Sequence, residues 1–186
     1  MTGAAFRVAR IMRTVNRGVG LACGLVLLLT GLLILVEIVM RRTVGSALGG
    51  SDEISGYVMA AVATWGLSWA LTERAHVRID LVQRRLRPTG RGALDALALF
   101  SVAGVAVLVA MHAWRVLATT LDRQSLANTP LETPLWIPQS LWLGGWAWFS
   151  VTAWVLALCL LVALAGRRLD VAEAIGGAQG EGEVVE

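Results

Sequence analysis

Four stretches of this chain stay free of charge long enough to cross a bilayer, and arginine-rich or polar segments separate them. A hydrocarbon core of about 30 Å is spanned by roughly 20 apolar residues in a helix. Residues 19–36 are uncharged and predict a first helix over about 18–40, running on past Glu37. Residues 54–72 and 96–114 are each nineteen long without Asp, Glu, Lys or Arg, and predict helices over about 53–73 and 93–116. The last run, 133–166, holds thirty-four uncharged residues. That is too long for one upright span at about 1.5 Å per residue. Pro134 and Pro138 divide it, predicting a surface segment at 135–138 and a helix over about 139–165; proline fits the first turn of a helix. The pattern is that of an all-α integral membrane protein with four transmembrane helices between residues 18 and 166.

The flanks read differently. Residues 1–17 form a basic tail with Arg7, Arg10, Arg13 and Arg17. A basic leader before an apolar run raises the possibility of a signal peptide. The run exceeds the usual 7–15 residues, however, and ends in Val39-Met40-Arg41-Arg42 without a small-residue cleavage site, so an uncleaved anchor is expected. After the second helix, 73–82 mixes charged and apolar residues in the manner of an amphipathic segment lying on the membrane surface. There Arg84, Arg85, Arg87 and Arg91 can meet anionic phospholipid headgroups. The end of the chain, 167–186, is acidic and glycine-rich and is expected to be disordered.

Charge then orients the four spans. All sixteen basic residues are arginine. Twelve of them (the four of the N-terminal tail, Arg74, Arg78, Arg84, Arg85, Arg87, Arg91, Arg167 and Arg168) fall on one side, against Arg41, Arg42, Arg115 and Arg123 on the other. The positive-inside rule makes the first side cytoplasmic, with both termini, and turns the loops at about 41–53 and 116–134 outward. In a bacterium this is a multi-pass protein of the inner membrane. A net charge of +3 does not indicate nucleic acid, because the arginines sit between apolar runs rather than on one basic face. With 56% hydrophobic and 16% charged residues, the chain is far from a soluble composition.

Chemistry is sparse. Cys23 and Cys159 lie inside apolar runs and have no metal-ligand spacing. His76 and His112 fall near opposite membrane faces, so they cannot share a haem, and no cofactor or metal site is expected. The chain carries no phosphate-binding loop, nucleophile elbow or intramembrane carboxylate chain, which excludes a catalytic role and leaves a poor ion pathway. Glu37 stands four residues before Arg41, a spacing suited to an ion pair. Ser51-Asp52-Glu53 reads as a serine cap with two carboxylates at a helix N-terminus. Gly56, Ala60, Ala63, Gly66 and Ala70 recur at helical spacing, so a neighbouring backbone can come close. Packing within this bundle accounts for that stripe, and docking of a second protein is the other reading. Trp65 and Trp69 share a surface four residues apart, and Trp114, Trp136 and Trp142 suit an outer aromatic belt.

Residue chemistry alone therefore reaches a four-helix membrane bundle that serves as some larger assembly's subunit. A free-standing small carrier, or a membrane anchor for an electron-transfer or quinone-linked enzyme, stay open at that level. The segment Glu53-Ile54-Ser55-Gly56-Tyr57, then Trp65-Gly66 and His76-Val77-Arg78-Ile79-Asp80-Leu81, resembles the small membrane subunit (DctQ-type) of tripartite ATP-independent periplasmic (TRAP) transporters. Glu37-Ile38-Val39-Met40-Arg41-Arg42 and Thr133-Pro134-Leu135-Trp136-Ile137-Pro138-Gln139 are similar to the same pattern, so the likeness covers about 15–165. Gly49-Gly50 departs from it, since a larger residue is common there. The resemblance implies a three-part system: a periplasmic substrate-binding protein, a large membrane subunit moving an organic acid on a cation gradient by an elevator-type motion, and this small helper. It further implies interface roles, at the outer start of helix two for Glu53 and Tyr57 and at the cytoplasmic turn for His76, Arg78 and Asp80. Trp65 and Gly66 are expected to serve packing.

Overall fold

The computed structural model describes residues 2–45, 49–75, 88–129 and 131–176. Helices α1 (Thr2–Thr43), α2 (Ser51–Thr72), α3 (Pro88–Arg123), α4 (Trp136–Ala165) and α5 (Leu169–Gly176) follow one another in the chain. The first four are long and apolar enough to cross a membrane, and the described residues contain no strand, only an isolated bridge between Leu126 and Pro134. The all-α membrane fold is therefore present. Of the amphipathic surface segment expected at 73–82, residues 76–82 lie outside the described residues.

The helices extend beyond their apolar runs. At about 1.5 Å per residue, the 42 residues of α1 reach about 60 Å, twice the hydrocarbon core. The basic segment expected as a tail is the first part of this helix. Nothing in it breaks a helix, because arginine is a good helix former and no proline intervenes. Helix α3 starts on Pro88, where proline's missing N–H costs nothing. Helix α4 starts at Trp136 rather than Gln139, with Pro138 still inside the first turn.

Helix α4 is the hub. It touches α1, α2, α3 and α5, while α1 packs on α2 and neither α1 nor α2 meets α3 among the described residues. Burial follows this plan: 44% of the apolar window of α4 is buried but only 6% of that of α1, which makes α1 peripheral. The α3–α4 seam is built from small residues. Ala96, Ala103 and Ala106 face Ala153, Ala157, Leu160 and Ala163, all buried and spaced three to seven apart, so the two backbones come close. Phe100 meets Trp154 edge-on at 5.6 Å to lock the seam.

From Gly56 to Gly66, the small-residue stripe of α2 is left uncovered by the described residues. Ala60 and Ala63 are exposed, and a Cβ added at Gly56 or Gly66 would meet nothing within 4 Å. The close approach between α2 and α4 uses α4's glycines instead. A Cβ on Gly145 would strike the Thr64 side chain and come 2.9 Å from the Trp65 backbone nitrogen. Likewise Gly20 of α1 leaves room for Trp69, whose ring would stand 2.5 Å from a Cβ there.

Two further expectations change. Residues 169–176 are not disordered: α5 buries Val171, Ala172 and Ile175 in the cluster that includes Ala5 and Leu156. Three apolar side chains on one short helix face supply the cover that a glycine-rich tail lacks. Ser51 is not a cap but the first, buried residue of α2. Gly50 precedes it at φ 86, in the left-handed region, and no side-chain cap bond forms. The positive φ favours glycine at 50, and a side chain there would also have to displace that of Leu131.

Candidate interface sites

At the end of the molecule where α2 begins, Glu53 ties α2 to the loop between α3 and α4. Position 53 is in the first helical turn, where a carboxylate faces unpaired backbone N–H groups and favourable partial charge. Tyr57, one turn on, donates its phenol to Glu53 Oε1 at 2.7 Å. The Thr129 hydroxyl donates to Glu53 Oε2 from across the chain. Thr133 approaches both the carboxylate and the phenol, and the Leu131 backbone N–H lies near the carboxylate. The loop is tightened in its own right, with Ala127 N–H donating to Thr133 O at 2.9 Å and Leu135 N–H to Ser125 O at 3.1 Å. One carboxylate thus gathers four groups and sets the shape of an exposed loop. Beside it, Glu37 is buried and pairs through Oε1 with Arg41 Nη2 at 2.8 Å. Ser51 approaches this carboxyl, yet Glu37 Oε2 has no well-formed hydrogen bond.

Within the span, polar side chains join helices. Trp65 donates its indole N–H to Leu141 O at 2.9 Å and so fastens α2 to α4. Asn16 is fully buried: it accepts from Trp148 Nε1 at 2.8 Å and reaches Thr152 Oγ1 at 3.5 Å. His112 is satisfied within its own helix, its Nδ1 lying 2.7 Å from Leu108 O.

At the other end, Arg13 grips Glu73 with two nitrogens, at 2.6 and 3.1 Å, where the chain leaves α2. This hydrogen-bonded pairing holds the Glu73 carboxyl below its ordinary range against a smaller opposing effect of burial, helped by the nearby charges of Arg17 and Arg74.

Of the residues singled out in the sequence, the structure brings Glu53 and Tyr57 together and sets Trp65 against α4. Gly66 faces open space, and His76, Arg78 and Asp80 lie outside the described residues. Sequence reasoning missed Asn16, Thr129 and the Arg13–Glu73 pair. For Asn16 a signal existed, a lone amide beside a long apolar run, whereas the other two are joined only by the fold.

These sites lie on a multi-pass membrane chain whose polar groups clamp helices and a loop. Compared with known protein families, residues 30–167 match the model described as tripartite ATP-independent periplasmic transporters, DctQ component. The chain belongs to the DctQ family. Comparison with curated proteins and with solved structures gave no match. The matched range runs from the C-terminal part of α1 to the end of α4, so it includes the Glu53 site and the α3–α4 loop. Asn16 and Arg13 precede it. As a DctQ component the chain is the small membrane subunit of a TRAP transporter.

Proposed function

We propose that this DctQ subunit is a fixed scaffold that seats the large transport subunit and helps dock a periplasmic substrate-binding protein during cation-coupled uptake of an organic acid. The observation that carries the reading is the unused stripe on α2. A helix that leaves Gly56, Ala60, Ala63 and Gly66 uncovered in its own chain offers a neighbouring transmembrane helix the close backbone contact that membrane association relies on. An elevator motion needs a partner that does not move with the cargo, and the α2–α4 lock supports such rigidity: Gly145 lies beneath Thr64, and Gly144 lies against the Trp65 ring, 3.2 Å from an added Cβ. In this reading both termini are cytoplasmic. The Glu53-held loop faces the binding protein, and His76, Arg78 and Asp80 meet anionic headgroups or the large subunit.

The test is co-extraction in mild detergent. Gly56→Leu combined with Gly66→Leu adds bulk where the chain itself has space, so the isolated subunit keeps its thermal stability while recovery of the large subunit drops at least tenfold. Undiminished recovery would sink this placement, and transport by vesicles holding this chain alone would sink the scaffold reading as a whole.

A further inference from the structure

Where α1 and α2 leave their apolar stretches, a cavity of about 130 Å³ opens between α1, the end of α2, α4 and α5. Its wall carries Arg10, Arg13 and Arg74, and its apolar part is formed by Phe6, Leu156 and Ile175. Glu73 offsets part of this charge, chiefly through Arg13 and also near Arg17 and Arg74. The guanidinium of Arg10 lies 4.9 Å over the Phe6 ring, a cation–π contact that leaves its donors open to the solvent side. Arg7 and Arg17 stand one helical turn to either side of the Arg10–Arg13 pair and are exposed.

The position of the cavity narrows what it can take. Along α1, the helical face that holds Arg10 continues through Thr14 and Arg17 to Leu21, Leu25 and Leu28 at spacings of three and four. These leucines are 69%, 59% and 60% exposed. A ligand seated at Arg10 therefore has cationic side chains around one end and, beyond Thr14 and Arg17, an exposed leucine track leading into the span. Arginine is suited to phosphate because its planar fork gives two parallel hydrogen bonds. A free phosphate would have no use for the Phe6, Leu156 and Ile175 wall or for the leucine track.

We propose that this cavity is a binding site for an anionic phospholipid, with the phosphodiester against Arg10, Arg13 and Arg74 and an acyl chain along the leucine face of α1. The lipid joins the first part of α1 to the end of α2 and to α5, adding to the Gly20–Trp69 contact, the Arg13–Glu73 pair and the α5 core contacts. It sharpens the anionic-lipid part of the scaffold reading and uses residues apart from 76–87. Its readout is lipid rather than recovery of the large subunit, so the two can fail separately.

Native mass spectrometry of the full-length chain, extracted with its associated subunits and offered equal phosphatidylglycerol and phosphatidylcholine, tests the site. Phosphatidylglycerol adducts should dominate. Arg10→Gln should cut them about fivefold, the weight of one cationic side chain at an anionic surface. Arg10→Lys should recover most of that loss. Arg115→Gln, which removes the same charge from an exposed position near the far end of α3, should leave the adducts unchanged. Equal binding of the two lipids, or the same loss in Arg115→Gln as in Arg10→Gln, would overturn the proposal. Complete displacement of phosphatidylglycerol by excess inorganic phosphate would overturn it in favour of a simple phosphate site.

Discussion

Gly50 and Glu53 show how single residues shape the end of the molecule where α2 begins. Gly50 enters α2 at φ 86 beneath Leu131, and Gly49 has φ 71 with nothing within 4 Å of a Cβ. A left-handed non-glycine residue costs about 1–2 kcal/mol. Gly49→Ala should show only that backbone cost, whereas Gly50→Ala adds a collision with Leu131. Thermal unfolding in detergent followed by tryptophan fluorescence should therefore rank Gly50→Ala clearly below Gly49→Ala, and equal melting temperatures would contradict the packing described. At the opposite end, the depressed carboxyl of Glu73 links stability to pH. A group whose folded-state pKa is lowered adds stability above the unfolded carboxylate range, near about 4.3, and that gain is lost as pH falls through the folded value. Arg13 is half-exposed, so the contribution is small, about 1 kcal/mol or less. Glu73→Gln should match the wild type under acid and fall slightly below it near neutrality, as thermal melts at a series of pH values will show.

Helix pairs are held by different devices. The α3–α4 seam relies on alanine and tight backbone approach, the α2–α4 contact on Gly145 beneath Thr64 and on the Trp65 bond, and the α1–α4 contact on Asn16. Asn16→Ala leaves the Trp148 indole N–H without its acceptor in an apolar setting. A buried unsatisfied donor costs about 1–3 kcal/mol, so this variant should melt several degrees lower. Asn16→Gln, able to offer the same oxygen, should lose less. If both behave like the wild type, the amide is not what joins α1 to α4. The helices themselves were readable from charge-free length because a bilayer demands it. Their ends were not, since arginines at 7, 10, 13 and 17 interrupt an apolar pattern without interrupting a helix. For α5, Val171, Ala172 and Ile175 were too short an apolar set to stand out until the core cluster they complete was visible.

For the whole molecule, the scaffold reading places the α3–α4 loop on the periplasmic side. Asn128 is exposed in that loop, while Cys159 is buried and Cys23 half-buried in apolar helices. Asn128→Cys should thus be labelled by a membrane-impermeant maleimide added to intact cells, and labelling only after lysis would reverse the orientation. Four spans, the arginine bias and the kinship to DctQ components could be read without coordinates, because each depends on local composition or on a motif near in sequence. The Glu53–Tyr57 pair was within reach for the same reason, being one helical turn apart. Which surfaces remain uncovered was not. The α2 stripe suits packing in either direction, and only the placement of α4, with Gly144 and Gly145 supplying the close contact, leaves that stripe unused. Thr129 meeting Glu53, Arg13 meeting Glu73 and Asn16 meeting Trp148 join residues sixty or more positions apart. Partners so far apart are chosen by how the helices pack, and no local pattern in the chain encodes them.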